Sequence, residues 1–190
     1  MKWKQNLLVG SLSTLVLAVA VVGFTSIRTY AAGQDIEAAF EKAQIVRQNM
    51  IVPPGSYHGG VMPQTMQTQI LASARANLNT VFTPSMVQNE LKVVQNAIAE
   101  QSTNAPYSVI SLGGGVSNFD INSVQLNGDT ATISAVVTAW AKMAQVQPDG
   151  SLVVAQPHND LDVTATLVQN SSGQWQVSQE QWTFAPGSAP

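Results

Sequence analysis

The sequence predicts an α+β domain in which three N-terminal helices pack on a strongly curved antiparallel sheet of about four strands. Between residues 119 and 184, apolar and polar residues alternate with a period of two, which is typical of strands with one buried face. Between residues 34 and 98, apolar residues recur at three- and four-residue steps, which is typical of amphipathic helices. We therefore expect one domain over residues 34–184 and a disordered tail over 185–190.

The strands are predicted from the parity of their apolar residues. In the run from Asp129 to Val146, the odd positions should face the core, whereas the even positions are mostly Thr and Ser. A second run should end at the turn residues 170–173, so that it forms a hairpin with the last strand. The residues expected on the inner face in these two runs are Ala131, Ile133, Ala135, Val137, Ala139, Ala141, Met143, Leu161, Val163, Ala165 and Leu167.

Two strands should change phase along their length. Trp175 and Val177 share one parity, but Trp182 and Phe184 have the other, which predicts a bulge between residues 178 and 181. A similar change is expected near residues 122–123. The inner face then carries no titratable group, and its polar candidates are Gln179 and Gln181, whose amides are poor proton carriers. Trp175 is expected to be buried between the sheet and the helices.

The helices are predicted at Gln34–Met50, at Gln64–Val81 and from Thr83-Pro84 onward, where a hydroxyl residue followed by proline is typical of a helix start. A loop rich in Gly and Pro separates the first two helices. Residues 113–115, three consecutive glycines, are expected to form a flexible link into the sheet. Hairpin turns are expected at residues 127–128 and 149–150.

Residues 1–31 are predicted to be an export segment. Lys2 and Lys4 precede an uncharged apolar run from Leu7 to Phe24, and residues 29–31 resemble a cleavage site. The run is long for a signal peptide and close to the ~18 residues that can span a membrane, so a cleaved signal peptide and a retained anchor both stay open. Either outcome places the body outside the cytoplasmic membrane, secreted or anchored, and contact with the membrane would come only through an uncleaved segment.

The composition narrows the classes of function. Charged residues make up 10% of the chain, well below the ~25% of ordinary soluble domains. The chain contains no cysteine, which excludes disulfides, thiolate metal sites and a cysteine nucleophile. The basic residues are scattered along the sequence, so a nucleic-acid partner is not predicted.

The candidate catalytic residues are few. His58 lies in the Gly/Pro loop and His158 in the segment before the second strand run, and an acid–base or metal site would need the fold to bring them together. Asp160 and Asp162 share a strand face that should be turned toward solvent. The sequence therefore predicts no catalytic residue, no metal site and no cofactor.

Two segments, NGDTATISAVVTAW at residues 127–140 and SSGQWQVSQEQWTF at 171–184, follow a region of three helices. In this order they resemble the nuclear-transport-factor-2-like superfamily of cone-shaped α+β domains, over about Gln34 to Phe184. The resemblance implies a concave sheet. Members include isomerases, dehydratases and polyketide cyclases with acidic or histidine side chains inside the cone, and many non-catalytic exported domains. Fold membership alone therefore assigns no activity.

The function predicted from these observations is a non-catalytic extracytoplasmic domain that binds another protein or a component of the cell envelope. Trp140, Val136 and Val168 are the candidate interface residues, because they are large apolar side chains on the polar strand face. The resemblance implies a homodimer through that face, whereas Trp140 packing across a neighbouring strand is the alternative. A cone that binds a small apolar ligand, and an enzyme of the polyketide-cyclase or isomerase type, are the alternative functions.

Overall fold

The computed structural model of the chain describes residues 30–50, 62–101 and 109–188. The three predicted helices are observed as α1 (Tyr30–Met50), α2 (Gln64–Leu78) and α3 (Pro84–Gln101). α1 begins earlier than predicted, so that Tyr30 and Ala31, the last two residues of the cleavage-like triplet, lie in its first turn. α2 ends earlier than predicted, because the chain turns after Leu78, whose carbonyl accepts from the N–H groups of Val81 and Phe82.

The sheet is antiparallel, with strands β1 (Val109–Asn127), β2 (Thr130–Val146), β3 (Leu152–Ala155), β4 (His158–Gln169) and β5 (Trp175–Phe184). Its order is β1-β2-β4-β5, and β3 pairs with the end of β2 that extends past the start of β4. The α+β class with three helices on a curved sheet is confirmed. The sheet has five strands rather than about four, because the chain forms the short strand β3 after the predicted turn at Asp149-Gly150.

Bulges interrupt the two edge strands β1 and β5. The pairing of β1 with β2 skips one residue at Leu112, at Ser117 and at Asn122, and the pairing of β5 with β4 skips Ser178. The phase changes predicted near residue 122 and between residues 178 and 181 are therefore confirmed. Extra residues bend a strand and increase its twist, which is how the sheet curves around the helices.

The three glycines at 113–115 are part of β1, and the prediction that they form a flexible link is wrong. Gly113 is paired with Lys142 and Gly115 with Trp140 of β2. A carbonyl of α1 lies close beneath the middle glycine, since a Cβ on Gly114 would be 3.0 Å from the Gln48 oxygen. Glycine is needed here because backbone and indole atoms occupy the space of a side chain.

The hydrophobic core lies between the inner face of the sheet and the three helices. As predicted, the odd positions of β2 from 131 to 139 are buried. Ala141 and Met143 are only half-buried, whereas the even positions Ala144 and Val146 are buried in a second, smaller cluster with Ile110, against which Leu112 packs. The core side chains that are fully buried include Ile36, Phe40, Met62, Leu78, Phe82, Val87, Ile133, Val137, Leu167 and Val177.

Trp175 packs against the core but remains partly exposed, so the expected burial is only partial. Residues 185–188, which the sequence assigns to a disordered tail, form an ordered turn. The N–H of Ala185 donates to the Asp160 carbonyl at 2.9 Å, and the Ser188 hydroxyl accepts from the Asp160 N–H at 2.7 Å. The tail expectation therefore fails for these four residues, because β4 extends past the end of β5 and its backbone needs partners.

The predictions for the export segment and for the loop that contains His58 fall on residues 1–29 and 51–61, which lie outside the described residues. Among the helices of the described ranges, none combines the length and the apolar character that a membrane span requires.

Candidate functional site

The face of the sheet turned away from the helices, hereafter the outer face, carries the candidate interface residues. The described helices all lie on the opposite side, against the inner face. In register across β1, β2, β4 and β5, the outer face is built mainly from hydroxyl and amide side chains. Its members are Asn118, Asp120, Ser123, Gln125, Asn127, Thr130, Thr132, Ser134, Val136, Thr138, Trp140, His158, Asp160, Asp162, Thr164, Thr166, Val168, Gln176, Gln179, Gln181 and Thr183.

Trp140 lies across the glycines of β1. A Cβ on Gly115 would be 2.8 Å from the indole Nε1, and a Cβ on Gly113 would be 3.7 Å from Cζ3 of the same ring. The indole is half-buried in this position. One side of the Trp140 ring therefore packs across the neighbouring strand β1, which was the alternative to an interface role. A role of the exposed remainder in an interface stays a prediction.

Val136 and Val168 are half-buried at different positions on the outer face. Val136 has Asp120 on one neighbouring strand and Asp162 on the other, while Val168 pairs with Thr130 and Gln176. The three candidate interface residues therefore do not form one apolar patch. Hydroxyls, amides and carboxylates separate them, so a partner on this face would meet mainly hydrogen-bonding groups.

A carboxylate of the outer face is held by a neighbouring strand. The Thr138 hydroxyl donates to Asp160 Oδ1 at 2.6 Å, while Asp162 is exposed. His158 is also exposed and is paired with Trp140 in the register of the sheet. Among the residues that the structure describes, no group of three or more His, Cys, Asp or Glu side chains is placed to hold a metal ion.

The inner face contains a charged cluster that the sequence did not predict. Arg47 and Gln44 of α1 meet Glu90 of α3 and Glu180 of β5. Arg47 is ion-paired with Glu180 through Nη1 and with Glu90 through Nη2, at 2.9 Å to Glu90 Oε1. The Gln44 amide donates to Glu180 Oε2 at 2.7 Å. We call these four residues the inner cluster, which ties two helices to the edge strand.

The inner cluster is buried. The side chain of Glu180 is 3% exposed, and those of Arg47 and Glu90 are 13% and 15% exposed. The guanidinium also lies over the Phe82 ring, with its carbon 5.0 Å from the ring centre. Burial acts to lower the pKa of Arg47, but Glu180 and Glu90 outweigh it and raise this pKa above its ordinary value. Arg47 therefore stays charged and occupies both carboxylates.

This arrangement favours a structural role over acid–base catalysis. Both oxygens of Glu180 are engaged, one by Arg47 and the other by Gln44. A general base must have a free oxygen within hydrogen-bond reach of its substrate.

A separate groove lies on the outside of α2, away from the inner face, and is lined by Thr68, Leu71, Ala72, Arg75, Ala76 and Asn79.

The inner cluster corrects two predictions. Gln179 and Gln181 were expected on the inner face, but they are exposed and pair with Thr166 and Thr164 on the outer face. The inner face was expected to lack titratable groups, yet it contains Glu180. The reason is the bulge at Ser178, which turns the even positions inward. The sequence contained a sign of this inward turn, because the apolar residues Trp182 and Phe184 have the same parity as Glu180.

No protein-family model matches the chain. No curated protein matches it either.

Solved structures do match. The intermembrane-space region of the chloroplast protein ARC6 superposes with a TM-score of 0.50 at 12% identity, over 84% of this chain and 99% of that one. A periplasmic fragment of TraM gives a TM-score of 0.43 at 11% identity, over 80% and 98% of the two chains. An Ntf2-like protein involved in plasmid conjugation gives 0.37 at 12% identity, over 84% and 52%. At such identities, the similarity to the ARC6 region concerns the fold alone, and it is the curved-sheet α+β fold that the sequence resemblance implies.

Proposed function

We propose that this chain is a non-catalytic extracytoplasmic domain that binds another protein through the outer face of its sheet. The observation that carries the proposal is the unequal use of the two sheet faces. The inner face is covered by α1, α2 and α3, and the carboxylate on it is engaged by Arg47 and Gln44. The outer face, in the described residues, is covered by no other element.

The outer face has the size and chemistry of a protein-binding surface. It presents about as many residues as the ~20–30 per side of a standard protein interface. Its hydroxyl and amide groups both donate and accept hydrogen bonds, so they can pair with the backbone and side chains of a partner. The half-exposed Trp140 adds an aromatic group of the kind that is enriched in interfaces.

The extracytoplasmic location rests on the sequence of the first 31 residues, with its basic start and long apolar run. The ARC6 region, which has a similar fold, comes from an intermembrane space, and this supports the proposed location. A fold carries no activity of its own, so the partner must be found by experiment.

Site-specific photo-crosslinking in intact cells tests the proposal. A benzophenone side chain at Thr164, which is exposed in the middle of the outer face, should give a discrete adduct with another protein. The same side chain at Gln88, which is exposed on α3, is the matched control and should give none. Adducts from Gln88 alone, or none from Thr164, would contradict the proposal. A small apolar molecule retained by the chain in native mass spectrometry would favour the ligand-binding alternative.

A further inference from the structure

A second candidate surface lies at one end of the sheet, apart from the centre of the outer face. Of the seven large apolar side chains that are exposed in the described ranges, four lie where β1 begins and β3 pairs with β2. Three of them are consecutive in β3 and are 40%, 47% and 54% exposed: Leu152, Val153 and Val154. The fourth is Val109, which shares the Gln145 row of the sheet with Val153.

The far edge of β3 is open in the described structure. β3 pairs with β2 on one side, and β5 pairs only with residues 161–169 of β4, so it does not reach β3. An exposed apolar edge strand is a ready template for another strand, and soluble proteins usually protect such edges with charges. β3 contains no charged residue.

The hydrogen bonds of the hairpin determine which groups point to the open edge. The Gln147 N–H donates to the Ser151 carbonyl, so Ser151 points toward β2. The direction of the backbone N–H and C=O groups alternates from residue to residue along a strand. Val153 and Ala155 therefore also point these groups at β2, whereas Leu152 and Val154 point theirs at the open edge. Pro157 agrees with this alternation, because its carbonyl accepts from Ala141 N–H in β2.

We propose that two copies of this chain associate through β3, which pairs with itself antiparallel about a two-fold axis at Val153. In this register, Leu152 of one copy forms a hydrogen-bonded pair with Val154 of the other, and the reverse pair repeats it. Val153 meets its own counterpart between them. Every exposed apolar side chain of β3 then faces an apolar side chain, and no like charges meet.

Neighbouring registers are less favourable. Moving the axis to Val154 places Leu152 opposite Gln156, which lies beyond the end of β3. With the axis midway between Val153 and Val154, Leu152 of one copy would lie opposite Ala155 of the other. The N–H and C=O of Leu152 point to the open edge, but those of Ala155 point to β2, so the hydrogen bonds between the two copies could not form. A four-residue strand covers much less than the ~800 Å² per partner of a stable complex, so the dimer should be weak and concentration-dependent.

Cysteine crosslinking tests this register, because the natural chain contains no cysteine. The full chain is kept in detergent and mildly oxidised, with Val153→Cys, Leu152→Cys or Val154→Cys as the single change. At Val153 the two Cα atoms would be about 4.5 Å apart, within disulfide range. In the same register, the Cα atoms of the two copies of residue 152, and likewise of residue 154, would be offset by two residues and lie roughly 8 Å apart, which is beyond disulfide range. We expect Val153→Cys to give at least about tenfold more disulfide dimer than either control.

A second change probes the backbone ladder. Val154→Pro removes an N–H that is directed away from β2 and would bond across the axis, and proline is tolerated where an edge N–H faces solvent. Added to Val153→Cys, it should abolish the dimer, whereas Val154→Thr should keep it. Equal crosslinking at all three positions, a dimer at 152 or 154 instead, or a dimer that survives Val154→Pro would overturn the proposal. Failure here would leave the proposal for the outer face intact, since that test reads adducts from Thr164.

Discussion

The indole of Trp140 occupies the space where Gly115 would carry a side chain. An added Cβ at residue 115 would be 2.8 Å from Nε1 and 2.9 Å from two ring carbons. Real Cβ atoms do not approach ring atoms this closely, so either the indole or the strand must move. The pair therefore determines where the largest aromatic side chain of the outer face lies.

Gly115→Ala should displace the indole of Trp140. We expect a loss of about 1–3 kcal/mol in the free energy of unfolding, the usual cost of overpacking. Gly113→Ala is the matched control, because its Cβ would be 3.7 Å from the ring, an ordinary contact. Denaturant unfolding followed by tryptophan fluorescence measures both. Equal stability of the two variants would show that the indole moves aside freely.

The second prediction concerns the ion pair of Arg47 and Glu180. Glu180→Ala should cost about 3–5 kcal/mol, because a buried guanidinium loses a partner that is itself only 3% exposed. Replacing both residues at once, with Arg47→Met and Glu180→Leu, should cost less than the sum of the two single changes, because each single change already breaks the same ion pair. Chemical denaturation of Arg47→Met, of Glu180→Leu and of the double variant gives the coupling energy. Additive losses would mean that the two side chains do not interact in solution.

Two tryptophans of β5 should differ in their contribution to stability. Trp175 packs on the core and is partly buried, so Trp175→Ala should cost about 2–3 kcal/mol, below the ~3–5 of a fully buried tryptophan. Trp182 is 54% exposed and meets the Phe184 ring edge-to-face, so Trp182→Ala should cost about 1 kcal/mol. Urea titrations rank the two. The reverse order would mean that Trp182, rather than Trp175, is the tryptophan that packs on the core.

The turn before β3 offers a pH measurement. The Ser151 hydroxyl and N–H donate to Asp149 at 2.6 and 2.9 Å and lower the pKa of this carboxyl. A lowered folded-state pKa stabilises the fold above the unfolded pKa, and this contribution is lost as the pH falls through the folded value, in the range below about pH 4. Ser151→Ala should raise the pKa of Asp149, whereas Ser151→Thr should not. Carbon-detected NMR titration measures it, and an unchanged value in Ser151→Ala would contradict the assigned cause.

The domain should fold without its first residues, because the periodic segments begin at residue 34. A shortened chain from Gly33 to Pro190 is expected to show the circular dichroism of a mixed α+β fold and a cooperative thermal transition. The full chain in detergent is the control. An unfolded shortened chain would contradict both the boundary and the single-domain prediction.

The sequence predicts most of the architecture because periodicity reports burial directly. Val87, Leu91, Val94 and Ile98 follow the three- and four-residue steps of an amphipathic helix in α3, and all four are buried. The bulge in β5 was also predictable, from the changed parity of Trp182 and Phe184. The inward position of Glu180 follows from the same parity, because Glu180, Trp182 and Phe184 are alternate residues of one strand.

Other parts of the structure depend on contacts that a single sequence does not reveal. The glycines 113–115 are typical of a flexible link until Trp140 is placed over them by the pairing of β1 with β2. Likewise, Arg47, Glu90 and Glu180 lie on three elements far apart in the chain, and only the tertiary fold brings the two carboxylates to one guanidinium. Short apolar strands such as β3 carry too few residues for a periodic signal.

The extra residue at Ser178 adds curvature to β5 while its neighbours keep consecutive partners on β4. Deleting Ser178 would restore an unbroken ladder and leave every later side chain on its present face, because Val177 already pairs with Leu167 and Gln179 with Thr166. Glu180 would stay on the inner face, but the local bend and the extra twist of the bulge would be lost. A deletion at Ser178 should therefore act through the curvature of the sheet beside the inner cluster, whereas a deletion in the unbroken ladder after Glu180 would exchange buried and exposed side chains.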